Sequence, residues 1–129
     1  NPLRLLKARL LFDGGYYDRA HFQITSVNKL SDYTGFFDEY YYRLARIESK
    51  LKYLDKQVII QYQKAFDVGK NSSNYYAPMS ALQIGLIYEE QNDNKNAIIY
   101  FKKCLSLSGF DYERGIHHKA KVGLVRVTN

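Results

Sequence analysis

With 129 residues, 46% of them hydrophobic, the chain can bury one core; it is too short for two and too apolar for disorder. A formal charge of +6 invites an acidic partner or nucleic acid, yet the basic groups are spread along the chain, apart from a tail where Arg114, Lys119, Lys121 and Arg126 follow Glu113 without another acid. A single cysteine, Cys104, excludes an internal disulfide, and no apolar run reaches the roughly 18 residues of a membrane span.

Seven helices are expected in chain order. The first, over 3–13, sets Leu3, Leu6 and Leu10 at helical spacing and stops at Gly14-Gly15. The second, over 17–29, carries Ala20, Ile24 and Val27. The third, over 36–52, carries Leu44, Ile47 and Leu51. The fourth, over 55–69, carries Val58, Tyr62 and Ala65, and a local distortion is expected because its pattern holds one residue more than the other copies. The fifth, over 75–92, carries Ala81, Ile84 and Tyr88, with Ser73 or Asn74 as its cap and Pro78 near its first turn, where a missing N–H costs little. The sixth, over 94–107, is capped by Asp93 and carries Ala97, Phe101 and Cys104. The seventh, over 112–127, is capped by Asp111 and aligns Ile116, Ala120, Leu124 and Val127, with basic groups elsewhere, which suits a polar-faced C-terminal cap. Runs such as Val58-Ile59-Ile60 are too isolated to build a sheet.

The helices pair into copies of one pattern. A small residue stands in the first helix of each, at Ala8, Ala45 and Gly85, and an Ala closes the turn at Ala20 and Ala97. The turn is centred on Gly15 or Asn92, both tolerant of a left-handed backbone. Ile24 and Val27 then match Phe101 and Cys104. The middle copy runs Tyr41, Leu44, Ala45, Ile47, Leu51, Val58, Tyr62, Ala65, with Glu48 where the third copy has Tyr88. Antiparallel helices close on the small residues while Tyr88 or Phe101 fills the space beside them, each buried large side chain contributing about 1.5–3 kcal/mol. One hairpin cannot bury both its faces, so the copies must stack. Boundaries fall at about 1–34, 38–70 and 75–108, with the cap at about 112–127, in a single domain spanning 1–129.

Ala81, Ile84, Gly85, Tyr88, Asn92, Ala97, Phe101 and Cys104 stand at the offsets of the tetratricopeptide repeat (TPR) motif. Ala8, Leu11, Gly15, Tyr17, Ala20, Ile24 and Val27 repeat them, departing at Lys7, where the motif wants a large apolar residue. The chain thus resembles the TPR family, and its wording at 41–47, 81–89 and 119–124 resembles the C-terminal region of larger bacterial TPR proteins of undefined role. The resemblance implies an all-α, right-handed superhelical stack of about three hairpins plus the capping helix, with a concave groove lined by the first helix of each hairpin. Its groove positions are Leu5 and Arg9, Tyr42 and Arg46, Leu82 and Leu86, although packing on the seventh helix suits Leu82 and Leu86 better. The Lys and Asn of the family's carboxylate clamp do not stand there, so capture of a free C-terminal carboxylate is not expected.

The expected function is a non-catalytic protein-interaction scaffold. Its partner is another protein or peptide segment, acidic or aromatic, held by Arg9, Arg46 and Tyr42 through bidentate and stacking contacts. The competing reading is the structural end of a longer array, packing on its parent chain or dimerising through the N-terminal helix. Opening on Asn1-Pro2 without Met or a signal-peptide pattern, the chain reads as a soluble piece of a longer protein, cytoplasmic or exported.

Chemistry is sought and not found. Gly69-Lys70-Asn71-Ser72 lacks the first glycine and the hydroxyl register of a phosphate loop. His117 and His118 are adjacent, so on a helix they diverge by about 100° and cannot share a metal. Glu89-Glu90 and Asp38-Glu39 diverge in the same way, and Cys104 falls where the pattern wants a small buried residue. Asn71-Ser72-Ser73 is an acceptor pattern too common to carry weight. Tyr16-Tyr17, Tyr40-Tyr41-Tyr42 and Tyr75-Tyr76 fall at helix starts, where half of each set belongs to the core, so no nucleic-acid platform is expected. No enzymatic activity, cofactor, metal or membrane insertion is expected.

Overall fold

Apolar periodicity becomes helix throughout the computed structural model, which describes residues 2–26 and 29–129. Among them are α1 (Leu3–Asp13), α2 (Tyr17–Thr25), α3 (Phe37–Lys50), α4 (Asp55–Gly69), α5 (Tyr76–Glu90), α6 (Asn94–Leu105) and α7 (Glu113–Thr128), with a 3-10 turn at Leu30–Tyr33. The fold is all-α. Helix α2 stops earlier than its expected end at residue 29. The Tyr33 hydroxyl donates to the Ile24 carbonyl at 2.9 Å, and Thr25 Oγ1 bonds back to His21 O at 2.7 Å, so local partners serve carbonyls at the helix end. Val27 lies outside the described residues.

The first helix of each hairpin ends in the same device. Gly15, Lys52 and Asn92 take φ of +85°, +66° and +60°. The next amide reaches back five residues, from Tyr16 to Leu11 O, Tyr53 to Glu48 O and Asp93 to Tyr88 O, at 2.8, 3.0 and 2.9 Å. This is the Schellman closure of a helix C-terminus. Gly15 and Asn92 advertise it; Lys52 does not, because lysine has no intrinsic liking for a left-handed backbone.

The caps divide. Asp93 caps α6 as expected, its carboxylate accepting from the Asn96 amide at 3.2 Å. Neither Ser73 nor Asn74 caps α5, which enters through Tyr75 with no side-chain cap. The Asn74 side chain instead donates to Asp38 Oδ2 at 3.3 Å, a tertiary contact with the start of α3. Asp111 does not cap α7 either: the chain enters through Tyr112 at φ +63°, and Glu113 Oε1 accepts from the Gly109 amide. Helix α4 runs unbroken, so the expected distortion is absent from it.

Small residues set the packing. Phe101 of α6 is fully buried between two glycines. A methyl on Gly85 of α5 would lie 2.6 Å from one edge of its ring, and a methyl on Gly123 of α7 would lie 2.6 Å from its tip. Contacts of this closeness leave room for hydrogen and nothing larger. Helix α7 therefore seats on the third hairpin through the same ring that holds α5 to α6. An outer tie follows, in which Arg126 grips both oxygens of Glu89 at 2.7 Å each. That bond holds the Glu89 carboxyl below the usual carboxylate range, so its contribution is present above the ordinary value and fades as pH falls through the depressed one.

Each helix packs on its neighbours in sequence, and each odd-numbered helix also touches the next odd-numbered one: α1 with α3, α3 with α5, α5 with α7. No contact of comparable extent joins the even-numbered helices among the described residues. The odd helices thus lie side by side as one layer. No helix of the described residues is long and apolar enough to cross a membrane.

Candidate functional site

The layer of odd helices positions the candidate residues. Helix α1 presents Arg9 and, three residues on, Phe12; α3 presents Tyr42, Arg43, Arg46 and Lys50; α5 adds Met79 and Gln83. Tyr42 is only 3% exposed, its ring set among Tyr62, Tyr75 and Tyr76 at centroid distances of 6.2, 6.1 and 5.4 Å. Across it lies Arg46, half-buried, its guanidinium 5.6 Å from the Tyr42 centroid and 4.4 Å from that of Phe12. Cation–π attraction of this kind holds an arginine head flat against rings.

Two hollows flank the Arg46–Phe12 contact. The first, bounded by Ala8, Arg9, Phe12, Arg43, Arg46 and Ile47, holds about 10 Å³ and admits no side chain. The second, about 280 Å³, is bounded by Phe12, Tyr42, Arg46, Lys50, Met79 and Gln83, together with Ser49 and Tyr62. No acid lines either one. Burial pushes the tyrosine hydroxyls up, Tyr62 strongly and Tyr42 in the same direction, so these phenols stay neutral and the face keeps its positive sign. A wider hollow, about 450 Å³ at Arg4, Lys7, Gln23, Asp32 and Tyr33, carries both signs of charge.

Of the residues nominated by sequence, Arg9 and Arg46 border one hollow and Arg46 and Tyr42 the other, but Tyr42, 3% exposed, backs the Arg46 guanidinium instead of offering its ring to a partner. Leu82 and Leu86 border neither. Leu82 is 1% exposed in the cluster that holds Phe101, Ile116 and Ala120, and Leu86 packs half-buried against that cluster. Leu5 is likewise buried, under Ala20 and Ile24 of its own hairpin's cluster. Phe12 and Lys50 are the additions. Both stand one turn beyond a nominated arginine on the same helix, so extending the stripe by one turn finds them.

Residues 80–111 match the family model of the tetratricopeptide repeat. The matched span holds most of the third hairpin, including Gly85, Ala97 and Phe101, the residues on which its helices close. The chain has no match among curated proteins. A TPR-like hairpin is therefore the unit shown at 80–111, and the packing of the first two copies repeats its helix-pair form.

The groups that suggest chemistry are used structurally. Among the described residues no three of His, Cys, Asp and Glu gather as metal ligands. Cys104 is buried in the apolar cluster with Ala97 and Phe101, and burial pushes its thiol up to about 12. Native protein at neutral pH should therefore leave a thiol-specific disulfide reagent unconsumed, with one equivalent reacting on addition of denaturant. Prompt labelling of the folded chain would contradict this burial. His117 Nε2 lies 2.8 Å from Leu107 O, a hydrogen bond that ties the start of α7 to the loop before it.

Proposed function

We propose that the chain is a non-catalytic protein-interaction scaffold, a right-handed stack of TPR-like hairpins that receives a partner segment along the layer of α1, α3 and α5. The observation that carries this reading is the asymmetry of contact: odd helices touch odd helices while even helices do not, so the layer of odd helices is the narrower side of the array. An array narrower on one side curves toward it, and the inner side of the curve is an extended receiving surface. Arg9 and Arg46 give that surface its charge.

Affinity capture from the source cell with the full-length protein tests the reading. Arg9→Glu combined with Arg46→Glu abolishes capture of the partner while shifting the melting temperature by only a few degrees, since exposed or ring-stacked arginines contribute about 1 kcal/mol or less to stability. Undiminished capture removes the face from the account.

A second reading rests on α1, where Leu3, Leu6 and Leu10 are 61%, 36% and 55% exposed. Such a stripe suits a structural role, with the array packing on its parent chain or on a second copy. Light scattering at high concentration separates the two: a clean monomer counts against self-association.

A further inference from the structure

Resting on the binding face proposed above, we infer that the hollow between α1, α3 and α5 receives one acidic side chain, an Asp or Glu within an extended segment of a partner protein. Two arginines one turn apart on α3 make the case by contrast. Arg43 is buried and already satisfied: its Nε lies 2.6 Å from Glu39 Oε2, four residues back, and its head lies over the Tyr76 ring at 5.6 Å. Arg46 has Tyr42 four residues back instead of an acid, and no carboxylate lies within ion-pair distance of it among the described residues. Its faces are covered by Phe12 and Tyr42, which leaves the N–H edge of the guanidinium as its means of recognition.

Lys50 adds a second, independent sign. It follows Arg46 by four residues, a like-charge spacing that disfavours a helix by about 0.2–0.5 kcal/mol. Both side chains border the same hollow, with the Lys50 ammonium 6.0 Å from the Tyr17 ring centroid and free to swing toward Arg46, and no acid lines it. An anion between them removes the repulsion and supplies the counter-charge that a half-buried guanidinium lacks.

Size and lining select the anion. A hollow of about 280 Å³ falls at or below the lower limit of small-molecule sites, roughly 300–1,000 Å³, and suits one side chain with its adjoining backbone. Phe12 and Met79 offer apolar surface to an aliphatic stem, and Arg46, Gln83 and the exposed, flexible Lys50 border the hollow in which a carboxylate at its end would sit. Arg9 borders only the closed cleft on the other side of Phe12, so it steers the segment without touching this acid.

The test is a displayed library of random dodecapeptides selected on the wild-type protein. Selected peptides carry Asp or Glu at one fixed position, and changing that acid to Asn or Gln weakens binding about tenfold or more on wild type. The same peptide change has little further effect on Arg46→Gln or on Lys50→Gln, and its effect is undiminished on Arg9→Gln. Arg46→Lys, which keeps charge and loses the fork, restores part of the discrimination. Peptides that shift the Phe12 and Met79 resonances without a fixed acid overturn the carboxylate pocket and leave the binding face standing. A selection yielding no peptide, or peptides that shift neither resonance, overturns both. Displacement of the peptide by inorganic phosphate or by single-stranded polyuridine at equal concentration also overturns the pocket, because the site would then take anions without regard to peptide.

Discussion

Phe101→Ala lowers stability by about 3–5 kcal/mol, the cost of emptying a fully buried aromatic site. The loss falls on two interfaces together, since the ring separates α5 from α6 and seats α7. Gly85→Ala and Gly123→Ala press on the same ring from its two sides. Alanine gains about 0.5–1 kcal/mol over glycine in a helix interior, but its methyl would sit 2.6 Å from a ring with no free space to move into. Overpacking costs about 1–3 kcal/mol, so each change is destabilising on balance. Gly115 is the control: nothing lies within 4 Å of an added methyl, and Gly115→Ala stabilises by about 0.5–1 kcal/mol. In a Phe101→Leu background the penalty of Gly85→Ala shrinks, because the smaller side chain returns the volume the methyl needs. Urea unfolding of the set measures all of these. Equal penalties for Gly115→Ala and Gly123→Ala would mean that the ring does not separate the helices as described.

Glu48→Gln raises stability by about 1–3 kcal/mol at neutral pH, the scale of a buried polar group left without a partner. Glu48 is 4% exposed on α3, and its Oε1 has no hydrogen-bond partner; neither has Gln61 Oε1 on the facing α4. Burial raises the Glu48 carboxyl above its ordinary value, against lesser lowering from Gln61, Gln57 and Lys64. The sign follows. Below the ordinary carboxylate value the group is neutral whether folded or not, and no penalty arises. As pH rises from there through the raised folded value the folded state must give up a proton it holds, and the penalty becomes complete above it. The wild type therefore loses stability over that window relative to Glu48→Gln, whose amide can also donate to Gln61 Oε1. Denaturation curves at acidic and neutral pH read the difference. A Glu48→Gln variant less stable than wild type at neutral pH would mean that the carboxylate is charged and well paired.

How much of this was legible depends on whether a feature is local. Ala8, Ala45 and Gly85 stand out because a helix repeats its face every turn, and the Gly15 and Asn92 turns stand out because those residues accept a left-handed backbone. Lys52 closes the middle hairpin identically and gives no such signal. The missed caps share one cause. Asn74 is a fair cap by type, but the Asp38 carboxylate, distant in sequence, takes its side chain; Tyr112 turns left-handed and bypasses Asp111. The candidate face divides along the same line. Arg9 and Arg46 follow from position in the repeat, whereas their fates follow from what packs above them. Phe12 reaches Arg46 only when α1 lies along α3. Leu82 and Leu86 hold equivalent positions in α5, and the packing on α7 that suited them better from the sequence is what occurs: the cluster they share with Ile116 and Ala120 buries Leu82 and partly buries Leu86. Glu48 stands where the third copy has Tyr88, so the repeat places it at the core face, but that its Oε1 is left without a partner there appears only when α4 is laid against α3.

The central claim is that hairpins stack through large side chains wedged between small ones, and that this stacking lines up the odd helices. Nuclear Overhauser contacts from the Phe101 ring to the α-protons of glycine test it most directly. Cross-peaks to both Gly85 and Gly123, with both glycines shifted by the ring current, are the predicted result. A contact to Gly85 alone would leave α6 paired with α5 and α7 unstacked, which would contradict the stacking described at the C-terminal end of the array.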